Sequence, residues 1–280
     1  MFEFLSKLFN NNKEAIEHSE EKPKQKTSEE SKLRSAKDTY TDRCSVCGFY
    51  GEFHKNNRSF REGYQCPECN SSLRYRGQAA SILKIFGKPG QETITDLSKD
   101  DEFSQLTIYE PGLIGPFRKL FSGYKGYRNS FYWDDVDLGD YSDDIQCQSL
   151  EELTFGENEI DLIISSDIME HVRQPWVAFA DIYRVLKPGG YHVFSIPIDF
   201  PIKSKTTYRV DTSGDDDVYI EEPYYHGNGV GGKSLVYTDF GADIESHLIK
   251  IGYNVDMDVM DHEHVDVKKL LTFVTQKNIN

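Results

Sequence analysis

The clearest hydrophobic pattern of the chain runs through residues 160–197 and predicts a strand, a helix and a second strand. Residues 160–164 form a short apolar run of the kind that a strand buried on both faces requires. Pro175 is tolerated in the first turn of a helix. Apolar residues then recur at i, i+3, i+4 and i+7, on one helical face: Phe179, Ile182, Tyr183 and Leu186. Residues 188–190, Pro-Gly-Gly, end the helix, and residues 193–196 predict the next strand, which indicates a right-handed parallel βαβ unit.

An upstream pattern predicts another strand, a glycine-bearing turn and a helix. Residues 106–110 favour a strand, and residues 111–116, PGLIGP, lead into a helix that ends near Phe121. This geometry brings backbone close to a nucleotide-like ligand at the carboxyl end of a sheet, although many α/β proteins have such a turn. The turn lacks the GxxxxGK[ST] pattern, which disfavours an NTPase loop.

Two aspartates occupy the position of a ribose-binding acid. Residues 127–133 predict a strand, and Asp134 and Asp135 follow it, 24 and 25 residues after Glu110. In nucleotide-binding α/β folds an acid in this region accepts hydrogen bonds from ribose hydroxyls. The alternative is a solvated acidic loop, because the aspartates continue through residue 144. Residues 145–148 predict a short third strand.

Composition and charge narrow the classes of function. The chain has 280 residues, of which 38% are hydrophobic and 13% aromatic, enough for a real core. Residues 1–43 are electrically neutral, so the net charge of −15 lies in the remainder. This charge disfavours non-specific binding to nucleic acid or anionic lipid. No apolar run approaches the roughly 20 residues that span a bilayer, and the N-terminus is a poor secretory signal, so we expect a cytoplasmic protein.

The N-terminal region predicts a tail. Residues 1–9 would place four large apolar side chains near one another in a helix, which indicates either a membrane-surface or partner-docking segment or a frayed terminus. Residues 10–40 have almost no large apolar residues and predict a disordered linker.

Four cysteines predict a metal site. Cys44 and Cys47 form one CxxC pair, Cys66 and Cys69 form another, and 18 residues separate the pairs. Two such pairs supply four thiolates in a tetrahedron suited to Zn²⁺. The alternatives are uncoordinated thiols or a redox pair. Because no open ligand position is evident, we expect a structural zinc ribbon.

A long segment, residues 198–234, follows the βαβ unit and predicts an insertion. A loop of this length without secondary structure is usually a functional lid or disordered, and its aromatic residues and His226 favour a lid that faces substrate. A helix over residues 240–251 and a terminal strand pair, 253–260 with 270–275, complete the chain.

The segment FGENEIDLIISSDIMEHVRQPWVAFADIYRVLKPGGYHVFSIP resembles the class I S-adenosylmethionine-dependent methyltransferases of the type 11 kind. An aspartate opens its first strand, Glu170-His171-Val172 follows that strand, and RVLKPGG precedes the second strand. The cysteine pairs followed by SSLRYR, together with YHGNG and SLVYTDFG, look like a subgroup with an N-terminal four-cysteine zinc knuckle. The similarity covers about residues 44–276.

The resemblance implies an α/β, Rossmann-like sheet of seven strands, six parallel and the last antiparallel, with flanking helices and a small N-terminal zinc ribbon. The cofactor would lie over the carboxyl ends of the strands. The domains would be a tail over residues 1–40, the ribbon over residues 41–72 and a methyltransferase domain over residues 73–280.

The resemblance also implies cofactor contacts in the first half of the sheet. Glu110, Gly112 and Gly115 would belong to the first motif, whose loop faces the methionine part of S-adenosylmethionine. Asp134 or Asp135 would hold the ribose. The motif departs from the usual alternating glycines, because two bulky residues separate Gly112 from Gly115.

Further contacts are implied after the third and fourth strands. Gln148 and Ser149 match the place near the adenine where relatives often carry an acid, and that acid is absent here. Asp167 would line the pocket beside the sulfonium.

These features predict methyl transfer to a small-molecule or glycan acceptor. An oxygen or nitrogen acceptor can require a base, and His171 and His226 are candidates, with a structural role as the alternative for each. The rival hypothesis is a catalytically degenerate methyltransferase fold that the zinc ribbon recruits to partners. A zinc-ribbon nucleic-acid protein is disfavoured by the charge.

Overall fold

The computed structural model describes residues 39–57, 59, 61–198, 201–227, 231–260 and 270–279. The predicted amphipathic start over residues 1–9 and nearly all of the predicted linker lie outside these residues. The first strands are β1, Thr39–Arg43, and β2, Tyr50–His54, which pair antiparallel. Thr39 and Tyr40, at the predicted end of the linker, therefore belong to the ribbon hairpin.

Three helices connect the ribbon to the main sheet: α1, Leu73–Phe86; α2, Ile94–Leu97; and α3, Asp101–Ser104. Residues 88–105 are largely polar, yet they contain α2 and α3. Thr93 and Asp96 form a capping box at the start of α2, and the Asp100 carboxylate accepts hydrogen bonds from the first amides of α3. Polar residues that look like loop therefore start two short helices here.

An eight-stranded sheet forms the centre. In chain order its strands are β3, Ile108–Pro111; β4, Tyr127–Phe131; β5, Tyr141–Ser142; β6, Ile145–Cys147; β7, Ile160–Ser166; β8, Leu186–Ser195; β15, Tyr253–Met260; and β16, Leu270–Lys277. Side by side in the sheet, the strands lie in the order β15-β16-β8-β7-β3-β4-β6-β5. Five neighbouring strands, β6, β4, β3, β7 and β8, are parallel, and β16 pairs antiparallel with both β8 and β15. Without the two-residue strand β5, this is the predicted seven-stranded sheet with one antiparallel strand, so the α/β, Rossmann-like expectation is confirmed.

Alternation along the strands builds a core on each face of the sheet. In β7, Ile163 packs with the helices α5, Pro175–Val185, and α6, Ile244–Ile251. Its neighbours Leu162 and Ile164 point to the other face, where they join the cluster of α1, α4 (Pro116–Phe121) and the ribbon. A strand buried on both faces requires the near-continuous apolar run seen in the sequence.

The ribbon packs directly on this second face. The Arg76 side chain of α1 is 1% exposed, donates to the Tyr40 hydroxyl at 2.6 Å and lies 4.0 Å from the Phe53 ring centroid. Tyr40, Phe53 and both buried cysteines of the ribbon share one hydrophobic cluster with α1 and the sheet. The division at residue 72 therefore stays a prediction, since the two parts share a core.

The predicted insertion contains short paired strands, so the expectation of a segment without secondary structure was wrong. The strands within it are β9, Thr207–Tyr208; β10, Val210–Asp211; β11, Val218–Tyr219; and β12, Tyr225–Gly227. At its end and just beyond it lie β13, Lys233–Leu235, and β14, Thr238–Asp239. They form the pairs β10-β11, β12-β13 and β9-β14. Within the described part of the chain, no helix is long and apolar enough to cross a membrane.

Candidate functional site

Strands β3, β4 and β7 end at the same edge of the sheet, because they are parallel neighbours. The glycine turn follows β3, the Asp134–Asp135 pair follows β4, and Asp167 follows β7. We call this the carboxyl edge. Loops at such an edge commonly bind ligands in open α/β sheets.

Glu110, near the end of β3, is 4% exposed and accepts a hydrogen bond from the Tyr127 hydroxyl at 2.7 Å. Burial raises the pKa of Glu110 to about 7, although that hydrogen bond and the charge of Arg118 oppose the rise. At Gly115 a Cβ atom would stand 3.1 Å from Glu110 Oε1 and 3.3 Å from the Tyr75 ring, at a φ of +148°. Glycine is therefore needed where the turn passes over Glu110.

Gly112 needs its conformational freedom for a different reason. Its φ is +100°, which L side chains rarely adopt, and its amide donates to the Ser130 carbonyl at 2.8 Å. A Cβ there would meet only Ile168 Cδ1, at 3.8 Å. The turn thus leaves space beside Gly112 at the carboxyl edge.

Asp134 and Asp135 are both exposed just past β4. The Tyr132 side chain is hydrogen-bonded to Asp134, and burial, followed by the Asp134 charge, raises the pKa of Tyr132. The two carboxylates are therefore accessible from solvent at the edge where a ribose is predicted.

The side chains of Gln148 and Ser149 form hydrogen bonds within the loop that follows β6. The Gln148 amide is 3% exposed, donates to Thr154 Oγ1 at 2.5 Å and accepts from the Thr154 amide at 2.9 Å. Ser149 Oγ accepts from the Glu151 amide at 3.2 Å. These contacts close the turn after β6, so both polar groups of the Gln148 side chain are already used.

Asp167 is the centre of an ion-pair cluster. Its carboxylate forms a salt bridge with Arg61, lies 3.4 Å from Arg74 Nε and accepts from Ser195 Oγ at 2.8 Å. Burial alone would raise the pKa of Asp167, but Arg61, Arg74 and the Ser195 hydroxyl lower it below its ordinary value. Glu62 accepts from Arg74 Nε at 2.6 Å.

Sequence reasoning did not single out Arg61 and Arg74. Arg61 also donates to the Ile196 carbonyl, just past β8, so it ties the ribbon to the carboxyl edge. Arg61 Nε and Arg74 Nη1 are buried and make no hydrogen bond to a described residue. The SSLRYR motif contained Arg74, but its partner could be found only from the fold.

The two predicted histidines come together around Glu170. The rings of His171 and His226 are 5.3 Å apart, edge to face. His171 Nε2 lies 3.7 Å and His226 Nδ1 lies 3.9 Å from Glu170 Oε1. His171 Nδ1 lies 2.7 Å from the Leu235 carbonyl, so this nitrogen carries the proton and Nε2 keeps its lone pair. We call these three residues the Glu-His-His cluster.

Glu170 is buried in this cluster without a partner. Its side chain is 2% exposed, and neither carboxylate oxygen makes a hydrogen bond to any other described residue. Burial, and then the nearby Asp167 carboxylate, raises the pKa of Glu170 to about 8. Burial lowers the pKa of His171. An unpaired buried carboxylate is costly, which makes Glu170 a candidate functional residue.

A cavity of about 290 Å³ opens beside the cluster. Glu170 and His226 line it together with Thr238, whose hydroxyl is buried without a partner among the described residues. Lys203 and Arg209 also line it, each paired with Asp239. The insertion therefore builds one wall of the cavity, and the loop after β7 builds the other.

The four cysteines meet at one point. Cys44 Sγ lies 3.7 Å from Cys69 Sγ, and Cys47 Sγ lies 3.6 Å from Cys66 Sγ. Tetrahedral zinc, with Zn–S bonds of about 2.3 Å, would separate its sulfur ligands by about 3.8 Å. The donor set and spacing thus fit Zn²⁺.

The two CxxC turns have the same backbone geometry. The amide of Gly48 donates to Cys44 O at 2.8 Å, and the amide of Asn70 donates to Cys66 O at 2.9 Å. Gly48 and Asn70 both have positive φ, +84° and +60°. This pair of equivalent turns is typical of two zinc knuckles that share one ion.

Comparisons with known proteins point to methyltransferases. A sequence family described as a methyltransferase domain matches residues 134–194. An uncharacterized methyltransferase of Mycobacterium avium is 39% identical over 46 residues, which are 16% of this chain. The matched segment spans only 18% of that relative's length.

Solved structures of methyltransferases align with part of the chain at low similarity. A putative S-adenosylmethionine-dependent methyltransferase from Listeria monocytogenes is 14% identical, with a TM-score of 0.44 over 72% of this chain and 98% of that one. An S-adenosylmethionine-dependent methyltransferase from Mesorhizobium loti is 15% identical, with a TM-score of 0.40 over 62% of this chain and 91% of that one.

Proposed function

We propose that this protein is an S-adenosylmethionine-dependent methyltransferase whose acceptor is a small molecule or a glycan. The observation that carries the proposal is the meeting, at one carboxyl edge, of the glycine turn, the Asp134–Asp135 pair and Asp167. The match of residues 134–194 to a methyltransferase domain covers two of these three features.

The carboxyl edge fits the cofactor. Gly112 leaves space in the turn, and the exposed carboxylates of Asp134 and Asp135 can accept hydrogen bonds from ribose hydroxyls. The positive charges of Arg61 and Arg74 lie beside Asp167 at the same edge and favour a ligand carboxylate such as that of the methionine part. When bound, S-adenosylmethionine supplies an electrophilic methyl group on a sulfonium.

The cavity fits the acceptor. Its volume of about 290 Å³ is at the lower end for ligand pockets, so one ring or one sugar unit is the appropriate size. Lys203, Arg209 and Thr238 offer polar contacts to hydroxyl or carboxylate groups. His226, on the cavity wall, is the candidate proton acceptor. The His171 ring packs edge to face against the His226 ring.

The zinc ribbon belongs to the proposal as a structural element. Its site has four cysteine ligands and therefore no open position for substrate. Because thiolate ligands require reduced cysteines, we also propose a cytoplasmic location.

The second candidate is a catalytically degenerate fold that binds partners through the ribbon. Two observations favour it: Asp167 is already paired with two arginines, and the Gln148 side chain is already hydrogen-bonded within its loop. In that case neither residue is available for a cofactor.

Titration calorimetry of the full-length protein with S-adenosylmethionine decides between the two. The proposal expects measurable binding that S-adenosylhomocysteine competes away. No detectable heat and no thermal shift at millimolar cofactor would favour the degenerate fold. If binding is found, comparing methylated metabolites and glycans in cells with and without the protein identifies the acceptor.

A further inference from the structure

We propose that Glu170, His171 and His226 bind a divalent transition-metal ion at the floor of the cavity, separate from the four-cysteine site. Among the described residues, these three and the four cysteines are the two groups whose donor atoms converge closely enough to hold one ion. Binding of the ion does not depend on methyl transfer.

The distances between donor atoms fit one ion. His171 Nε2 and His226 Nδ1 lie 3.7 Å and 3.9 Å from Glu170 Oε1. One possible ligand atom from each of the three residues lies within 4.8 Å of the other two. Two ligands that each lie about 2.1 Å from an ion can be at most about 4.2 Å apart. The two carboxylate–imidazole separations fall below that limit and are too long for hydrogen bonds, so a single ion between the atoms accounts for both.

The burial of Glu170 supplies the independent reason. Its side chain is 2% exposed, and both of its oxygens make no hydrogen bond to another described residue. Protonation would add an O–H donor that is equally without a partner, whereas a cation would satisfy the carboxylate directly. Buried carboxylates are normally paired or coordinated to metal.

Neighbouring groups orient the imidazole rings of His171 and His226 for metal binding. The Leu235 carbonyl, at the end of β13, accepts from His171 Nδ1 and so turns the lone pair of Nε2 toward Glu170. This is the usual support of a metal-binding histidine. His226 is held on β12 by pairing with Ser234 and by edge contact with the Tyr224 ring.

The donor set selects the class of metal. Two imidazoles and one carboxylate suit zinc and related first-row ions rather than Ca²⁺ or Mg²⁺, which prefer oxygen. Three protein ligands leave a position open, and Glu170 and His226 both line the cavity. An oxygen of the acceptor can therefore be the further ligand, an assignment that rests on the proposed function. With an ion bound, the coordinated lone pair of His226 is no longer free to act as a base.

The test is a titration of the full chain with Co²⁺ after a single equivalent of zinc has filled the four-cysteine site, whose four thiolates take up zinc first. No cofactor or acceptor is present, so the result is independent of methyl transfer. We expect one Co²⁺ per chain, with weak visible bands of nitrogen and oxygen ligation and without the intense near-ultraviolet band of thiolate ligation. Elemental analysis after gel filtration should give one cobalt and one zinc.

Variants assign the ion to the cluster. Glu170→Gln keeps the shape of the side chain, His226→Ala removes a ligand at the cavity wall, and each should weaken Co²⁺ binding at least about tenfold. His54→Asn, at an exposed position of the ribbon, should leave it unchanged. Circular dichroism and zinc content show whether each variant is folded.

Two results would overturn the proposal. One is a zinc-filled wild-type chain that takes up no Co²⁺. The other is Co²⁺ binding that both cluster variants leave unchanged. If Glu170→Gln does not fold, His226→Ala alone decides, because that side chain is partly exposed and lies outside the sheet. Failure of S-adenosylmethionine to bind would affect the proposed function and not the ion.

Discussion

The Asp167 carboxylate, at the end of β7, forms a salt bridge with Arg61, which lies 106 residues earlier in the ribbon. Arg61 also donates to the carbonyl of Ile196 beyond β8. One side chain of the ribbon therefore joins the ends of two central strands. The ribbon therefore contacts the carboxyl edge directly, through Arg61.

Removing the charge of Arg61 should destabilise the fold. In Arg61→Gln the largely buried Asp167 keeps one arginine instead of two, so we expect the free energy of unfolding to fall by about 2 kcal/mol, less than for a fully buried isolated pair. Urea denaturation measures this change. The control is Arg43→Gln, whose exposed pair with Glu92 should be worth less than about 1 kcal/mol. Equal losses in the two variants would contradict the role of Arg61.

Glu110 should make the free energy of unfolding decrease as pH rises. Its pKa is about 7 when folded, above the usual value of about 4.3 for an unfolded glutamate. The folded chain therefore binds a proton on Glu110 more tightly than the unfolded chain does. The stabilisation that results is complete below the unfolded pKa and is lost as pH rises through the folded pKa. Relative to Glu110→Gln, the wild type should lose on the order of 3 kcal/mol between about pH 4 and 8.

Tyr127→Phe is the matched control for this pH dependence. The Tyr127 hydroxyl lowers the pKa of Glu110, so its removal should move the loss of stability to higher pH. Chemical denaturation at a series of pH values measures all three proteins. Profiles of wild type and Glu110→Gln that run parallel would exclude a raised pKa at Glu110.

The central strand-helix-strand unit could be predicted because its signals are local. The apolar run at residues 160–164 and the 3.6-residue period of α5 are read within single elements. The strand formed where expected. The helix ends at Val185 and not at residues 188–190, because Leu186 already belongs to β8 and pairs with Ile160. The two-residue strands of the insertion have no period to read, because each depends on a partner strand. That is why the insertion was predicted to lack secondary structure.

The candidate site was predictable only residue by residue. Asp167, His171 and His226 were each identified from local motifs, but their partners come from distant segments. Arg61 reaches Asp167 through the packing of the ribbon, and His226 reaches Glu170 through the folding of the insertion. Contacts of this kind depend on the tertiary fold and have no signature in a single sequence.

The four-cysteine site should hold one tightly bound zinc ion. We expect Cys69→Ser to lower the zinc content by one ion per chain and to lower stability, since binding of a structural ion contributes directly to folding. Cys147→Ser is the control, because Cys147 is a buried thiol in β6 that lies outside the ribbon. Elemental analysis after dialysis against a weak chelator measures the content. A wild-type value below about half a zinc per chain would rule out the four-thiolate assignment.

The exposed acidic pair after β4 should contribute to cofactor affinity. If Asp134 or Asp135 accepts hydrogen bonds from the ribose, replacing that residue with asparagine should weaken S-adenosylmethionine binding about tenfold, which corresponds to about 1.4 kcal/mol. Asp140→Asn, farther along the same acidic loop, should bind normally. Calorimetry compares the three variants. Unchanged affinity in all of them would mean that the pair is a solvated loop.

His226 should affect turnover without affecting cofactor binding. It lies on the insertion and lines the cavity beside Glu170, whereas the glycine turn and the acidic pair belong to the carboxyl edge. Whether His226 takes a proton or holds an ion, His226→Ala removes the group that prepares the acceptor, and the rate should fall by about 10²-fold. The dissociation constant for S-adenosylmethionine should stay within about twofold, since the change removes no group at the carboxyl edge. His54→Asn, on the exposed side of the ribbon hairpin, should change neither quantity.

Addition of metal then separates the two roles of His226: a metal-dependent wild-type rate indicates coordination, and a metal-independent rate indicates a base. Unchanged turnover in His226→Ala would remove His226 from the mechanism altogether.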